Sequence, residues 1–143
     1  MFWLHNSSIY QIKSKISYVK KVKGFDSNNN IFWGNQLDQG FDIQGGSLSN
    51  YIHEFRDNTV TNRPVIYLKN LTGGLVKNNA GQIILVNCST LEIVNQSITN
   101  VYIGIFLAYS KNIVVKENDL TYNNYGIFLW ESSANEITHN YID

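Results

Sequence analysis

Apolar residues recur at a fixed interval in the C-terminal part of the chain. The segments Gly104–Leu107 and Gly126–Leu129 share the sequence Gly-Ile-Phe-Leu, whose side chains alternate with the period of two that is typical of a strand. Four apolar columns keep the same interval without a gap: Ile83/Ile105/Ile127, Leu85/Leu107/Leu129, Ile93/Val115/Ile137 and Ile98/Leu120/Ile142. Self-similarity at a short, fixed period predicts a solenoid built from strands.

Weaker copies of the repeat extend the pattern towards the N-terminus. The equivalent positions of successive copies are less evenly spaced there, and they are Leu4, Gly24, Ile43, Leu68, Leu85, Leu107 and Leu129. Helical repeats are longer, about 33–47 residues, whereas the shorter interval found here suits one turn of three short strands. We therefore predict an all-β chain of about six to seven rungs that stack about 4.8 Å apart.

One segment interrupts the repeat. Residues 45–64 contain several turn-forming residues and the most charged stretch of the chain, His53–Asn58. We predict a single domain over 1–143, with N-terminal rungs in 1–44, an irregular insertion in 45–64 that leaves the solenoid, and regular rungs in 65–143. Both ends fall within a repeat and neither has an atypical polar cap, so we expect the chain to be part of a longer solenoid.

Two kinds of residue mark the corners between strands. Gln96, Asn118 and Asn140 share one column, and Asn35 takes the same place in an earlier copy. Stacked amides bond their neighbours above and below, so this column is predicted to be a structural asparagine ladder. A glycine begins each Gly-Ile-x-Leu motif, and we expect this glycine to form a corner with positive φ.

The composition narrows the class of partner. Charged residues make up 15% of the chain and the formal net charge is zero, which gives no electrostatic basis for binding nucleic acid or an anionic membrane. No apolar run approaches the about 18–20 residues that a bilayer span requires. The single cysteine, Cys88, excludes an internal disulfide.

Several of these motifs resemble those of the NosD-like and CASH-type β-helix repeat proteins. They are the repeated Gly-Ile-x-Leu strands, the run Ser132–Ile142, the segment Asn123–Gly126 and the stretch Asp57–Leu68. The resemblance covers nearly the whole chain and implies a single-stranded right-handed parallel β-helix. It also implies an extracellular, cell-surface or periplasmic location, because such proteins are typically exported. Their functions include polysaccharide cleavage, sugar binding and the maturation of copper enzymes.

Acid–base chemistry has one candidate group. In the register of the repeat Glu117 and His139 stack in one outward column, and Asp119 lies in the next. Carboxylates on a strand face perform such chemistry in β-helix lyases and glycosidases. A solvated polar edge beside the asparagine corner explains the same pattern, and the group has no cluster of arginine or lysine around it.

The metal-ligating residues are scattered. Met1, His5, His53, His139 and Cys88 fall on at least four rungs or loops. Copper would require several such ligands together, and calcium would require an Asp-rich loop. We therefore predict no metal site and no cofactor in this segment, with copper or calcium as the alternatives. Cys88 aligns with Ser110 and Ser132, which indicates a small corner residue.

Outward aromatic residues give a third candidate site. Trp3, Phe106 and Phe128 share one outward column, with Tyr109 and Trp130 close by. Exposed rings on a flat sheet face suit stacking on sugar rings or packing against a partner. The alternative is an aromatic stripe that stacks on itself or is covered by the segment 45–64.

These patterns favour a non-catalytic extracellular or periplasmic module that binds carbohydrate or a cell-surface polymer. The alternatives are a fragment of a polysaccharide lyase or hydrolase, and an accessory protein of copper-enzyme maturation. Asn-x-Ser/Thr sequences begin at Asn6, Asn70, Asn87 and Asn95, and they permit glycosylation in an exported protein.

Overall fold

The computed structural model describes residues 29–77 and 79–143 with their side chains. Of the residues before 29 it describes the backbone of three strands, Phe2–Trp3, Ser8–Tyr10 and Lys20–Lys23. The predicted places of Leu4, Gly24 and the side chain of Trp3 therefore lie outside the described part.

The described residues form short strands joined by tight corners, with one turn of 3-10 helix at Leu48–Tyr51. In chain order the strands are β1 Phe2–Trp3, β2 Ser8–Tyr10, β3 Lys20–Lys23, β4 Ile31–Trp33, β5 Gln36–Leu37, β6 Phe41–Gln44, β7 Glu54–Arg56, β8 Thr59–Val60, β9 Arg63–Lys69, β10 Thr72–Val76, β11 Gln82–Val86, β12 Ser89–Val94, β13 Ile103–Ala108, β14 Val114–Lys116, β15 Asp119–Leu120, β16 Tyr125–Trp130, β17 Glu136–Thr138 and β18 Tyr141–Ile142.

The strands pair in parallel from one turn to the next. The C-terminal rungs build the ladders β9-β11-β13-β16, β10-β12-β14-β17 and β15-β18, and the N-terminal rungs build β1-β3-β6, β2-β4-β7 and β5-β8. One antiparallel contact, between β8 and β9, joins the two sets. The fold class predicted from the repeat is confirmed: the chain is an all-β solenoid of stacked parallel coils. It has about five turns, against the six to seven predicted.

The strand register matches the apolar columns of the sequence. Leu68, Leu85, Leu107 and Leu129 are successive partners, and so are Ile93, Val115 and Ile137. The turn from β9 to β11 is shorter than the turns that follow it, which are equal in length. Stacking aliphatic side chains inside each turn keeps them away from water, and this burial is the main stabilising contribution.

The glycines of the two Gly-Ile-Phe-Leu strands serve close packing rather than positive φ. A Cβ on Gly104 would lie 2.7 Å from the carbonyl oxygen of Gly126, and a Cβ on Gly126 would lie 2.8 Å from Cγ2 of Ile142. The left-handed corners are instead occupied by other residues, among them Asn95, Glu117 and His139 with φ of 51 to 56°. The predicted positive φ is therefore wrong at Gly104 and Gly126, which lie within β13 and β16 and exclude side-chain volume. It holds at Gly40, the residue before β6, whose φ is 88°.

Amide side chains bridge the rungs at one corner. Asn118 Nδ2 donates to Oδ1 of Asn140 over 2.8 Å, and Asn118 Oδ1 accepts from the N–H of Gln96 over 2.8 Å. Asn35 makes the equivalent bond to Asn58, whose Oδ1 accepts from Asn35 Nδ2 over 2.8 Å. These amides supply partners for buried corner groups that the strand ladders cannot reach.

The segment 45–64 divides into two parts. Glu54–Arg56 pairs in parallel with Ile31–Trp33, and Thr59–Val60 pairs in parallel with Gln36–Leu37, so these strands belong to the ladders. Gly45–His53 is irregular and is called the cover segment below. Its fold is held by Asn50, whose Oδ1 accepts from the N–H groups of Gly46 and Ser47 over 3.0 Å each.

Candidate functional site

The cover segment closes over part of the outward aromatic column. The rings of Tyr51 and Phe106 are 6.0 Å apart, and Phe106 is 1% exposed. Tyr67 anchors the segment, because its hydroxyl donates to the carbonyl of Tyr51 over 2.5 Å and accepts from the N–H of His53 over 3.0 Å. Phe106 is therefore not open to a ligand, and its predicted role as an exposed ring is wrong. For this ring the alternative holds, in which the segment 45–64 covers it.

Three other predicted rings keep part of their surface accessible: Phe128 and Trp130 on β16, and Tyr109 one rung earlier. Phe128 is half-buried between Phe106 and Tyr125, whose ring centroids lie 5.4 and 5.5 Å from its own. Trp130 is 39% exposed at the end of β16. Tyr109 is half-buried and packs against Tyr51 at 5.6 Å, and its N–H donates to the carbonyl of Trp130 over 2.9 Å.

An open polar cleft of about 460 Å³ lies at the corner where Tyr109 sits. We call it the corner cleft, and its lining is Asn70, Thr72, Asn87, Cys88, Ser89, Tyr109 and Lys111. These residues come from three successive rungs, since Thr72 pairs with Ser89 in the ladder and Ser89 forms a bridge with Lys111. The cleft therefore spans three rungs along the solenoid axis.

Local backbone geometry explains why polar side chains meet there. Asn70, Asn87 and Tyr109 occupy one left-handed corner position, with φ of 57, 51 and 52°. Asparagine tolerates this conformation better than most residues, because its short side chain bonds locally. Asn87 Nδ2 donates to Oδ1 of Asn70 over 2.8 Å, and the hydroxyls of Thr72 and Ser89 are 3.0 Å apart.

Sequence reasoning found Tyr109 but missed the rest of the corner cleft. The available signal was the repeated Asn-x-Ser/Thr pattern, which begins at Asn70 and again at Asn87, one rung later. The same corner continues at Tyr109. Chance occurrence explained these sequences equally well until the register placed them in one column.

The acid–base candidates do not converge on an enclosed site. Asp119 is exposed, and so are Glu117 and His139. Glu117 and His139 occupy the left-handed corner position one rung apart, while Asp119 lies in the neighbouring ladder. His139 Nδ1 is 2.8 Å from the hydroxyl of Thr138. Exposed carboxylates at a corner gain neither the desolvation nor the enclosed substrate pocket that acid–base catalysis uses.

The donors of the described residues do not fit a copper site. No group of three His, Cys, Asp or Glu side chains comes together in 29–77 and 79–143. Cys88 is buried, its Sγ lies 3.5 and 3.4 Å from the carbonyl oxygens of Leu68 and Val86, and burial raises its pKa. His53 is also buried and belongs to no such group. Met1 and His5 lie outside the described residues.

His53 is a polar side chain that the structure buries without full pairing. Its Nδ1 accepts from the N–H of Asn30 over 3.4 Å, while Nε2 has no hydrogen-bond partner among the described residues. Burial lowers the pKa of His53 to about 4. The positive charge of Lys69 lowers this pKa further, whereas the backbone of Asn50 raises it. The imidazole is therefore neutral at pH 7 and serves packing.

Comparison with known proteins identifies the family. None of the helical structure in the described residues is long and apolar enough to cross a bilayer. No curated protein and no solved structure matches the chain significantly. The family model described as "Periplasmic copper-binding protein (NosD)" matches residues 4–143. The resemblance seen in the repeated motifs is thereby confirmed, and the chain belongs to the NosD family of periplasmic copper-binding proteins.

Proposed function

We propose that the chain is a non-catalytic periplasmic or extracellular module that binds carbohydrate or a cell-surface polymer at the corner cleft. The observation that carries the proposal is the cleft itself: an open trough lined by amides and hydroxyls, with a tyrosine ring, on three successive rungs. Trp130 adds an exposed indole on the rung after Tyr109.

The chemistry of the cleft suits sugars. A sugar ring has an apolar face that stacks on tyrosine or tryptophan, and hydroxyls that exchange hydrogen bonds with amides. The rungs repeat about every 4.8 Å, so successive rungs present hydrogen-bonding side chains at regular steps along the cleft. A rigid array of this kind binds an extended chain without ordering loops first, which lowers the entropic cost of association.

A glycan array followed by calorimetry tests the proposal. We expect binding of at least one polysaccharide class, lost or weakened about tenfold or more in Tyr109→Ala and in Trp130→Ala, because stacked rings dominate such contacts. Trp33→Ala is the matched control, since Trp33 is a similarly exposed tryptophan in another ladder. Absence of glycan binding by the intact chain, or equal losses in all three variants, would refute the proposal.

A second candidate function is favoured by the family match: an accessory role in the maturation of a copper enzyme. The described residues offer no grouped copper ligands, so this role would act through protein contacts or through residues outside the described part. Copper titration of the purified chain, read out by calorimetry and metal analysis, separates the two ideas. Stoichiometric copper binding without glycan binding would favour the accessory role.

A further inference from the structure

We infer that the corner cleft selects an acidic polysaccharide, with Lys111 pairing with a carboxylate of the ligand and Tyr109 contacting a sugar ring. This inference rests on the proposed carbohydrate-binding function and adds the class of ligand. Its basis is the charge of the lining, since Lys111 is the one charged residue among the seven that line the cleft.

Lys111 differs from Lys69 and Lys116 in what its ammonium contacts. Lys69 Nζ donates to the carbonyl of His53 over 2.8 Å, and Lys116 forms an ion pair with Glu92 at 3.1 Å. Lys111 is exposed, and its ammonium has neither an ion pair nor a hydrogen bond within the described residues. It is therefore available to an anion from solution.

The backbone under Lys111 is well held. Its N–H donates to the carbonyl of Cys88 over 3.0 Å, and it forms parallel bridges with Ser89 on one side and Ser133 on the other. The ladder thus fixes the root of the side chain beside the cleft, while the ammonium keeps its rotational freedom. On the protein side, pairing with a ligand carboxylate then orders the Lys111 side chain without ordering the backbone.

The neutral side of the cleft complements this cation. The bond between Asn87 Nδ2 and Asn70 Oδ1 leaves Asn70 Nδ2 and Asn87 Oδ1 without a partner among the described residues. None of the seven lining residues is acidic. A uronic acid offers the matching set: hydroxyls for the amides, a ring face for tyrosine and one carboxylate for the lysine.

A polyphosphate chain fits less well. Nucleic-acid affinity at physiological salt depends on neutralising many phosphates with several cations. The cleft contributes one lysine, and the chain as a whole has no net charge. One cation in a row of neutral sugar-binding groups suits a polymer whose charges are spaced along a largely neutral backbone.

The experiment compares an oligogalacturonate with its methyl ester, which has the same sugars without the charge. Calorimetry at low salt should show that the chain binds the acid roughly fivefold more tightly than the ester, the range expected of one partly exposed ion pair. Lys111→Gln should reduce binding of the acid to the level of the ester and remove the salt dependence. Lys116→Gln, at a lysine in the neighbouring strand β14, should bind as the unaltered chain does.

The outcomes separate the two claims. Equal binding of acid and ester by the unaltered chain, or unchanged selectivity in Lys111→Gln, would overturn the inference and leave carbohydrate binding standing. Absence of binding to either ligand, together with a negative glycan array, would overturn both. Equal thermal unfolding midpoints for the three proteins would show that the differences arise at the cleft rather than from loss of fold.

Discussion

Acidification should destabilise this protein through the buried side chain of His53. The imidazole of His53 is fully buried, and burial lowers its pKa from 6.5 to about 4. A group with a lowered pKa in the folded state binds protons more readily when the chain is unfolded. Its neutral form therefore supports the fold fully above about pH 6.5, and this support is lost progressively as the pH falls towards about 4.

The magnitude follows from the two pKa values. A tenfold difference in proton affinity is worth about 1.4 kcal/mol. Because the pKa of His53 falls from 6.5 to about 4 on folding, the unfolding free energy should drop by about 3 kcal/mol once the pH is well below 4. Most of that loss should already be present near pH 4.5. For a domain of this size it is a substantial part of the total stability, which is typically about 5–15 kcal/mol.

Urea unfolding followed by circular dichroism, at several values between about pH 8 and pH 4.5, measures the loss. Carboxylates also titrate there, so the decisive quantity is the difference between the unaltered chain and His53→Asn, whose amide can still accept from Asn30. His139→Gln, at an exposed histidine, is the control. If the unaltered chain and His53→Asn lose the same stability between these pH values, the buried imidazole is not the cause and the reasoning fails.

Two further predictions concern the ladders. Asn118→Ala should lower the unfolding free energy by about 1–3 kcal/mol for each buried backbone partner that it leaves unsatisfied. Asn124→Ala, at an exposed asparagine, should have little effect. Urea titration of both variants checks this prediction. Ile93→Ala should cost about 2–5 kcal/mol as a cavity in the interior, and Ile137→Ala, in the same column but 44% exposed, clearly less by the same titration. Equal losses in either pair would contradict the corresponding argument.

The regular rungs were predictable because their information is local and repeated. Between Ile83 and Ile142 the interval never changes, so aligning the sequence with itself is equivalent to reading the strand register. The cover segment has no counterpart in the other repeats, so aligning the sequence with itself does not predict its contacts. The alternation along the strand predicts that Phe106 points outward. Tyr51 covers it from a much earlier part of the chain, through a contact that belongs to no repeat.

The segment 45–64 shows a second limit. Glu54 and Arg56 are exposed and paired with each other at 2.8 Å, and Phe55 between them is half-buried against Phe32. That alternation is the ordinary pattern of a strand with one wet face. The charged residues on the solvent-exposed face made this strand look like a loop, because the stretch was interpreted by its polarity rather than by its alternation.

Burial along each column shows what holds the coils together. Leu107 and Val115 are inaccessible to solvent, while Leu129 and Ile137, their partners one rung later, are 38% and 44% exposed. The chemistry of the side chains is the same, so the difference comes from having a rung on two sides or on one. Stability in a solenoid is accordingly the sum of contacts between neighbouring rungs. This explains why the corner cleft can display polar groups on three rungs at little cost, since the aliphatic columns inside those rungs remain continuous.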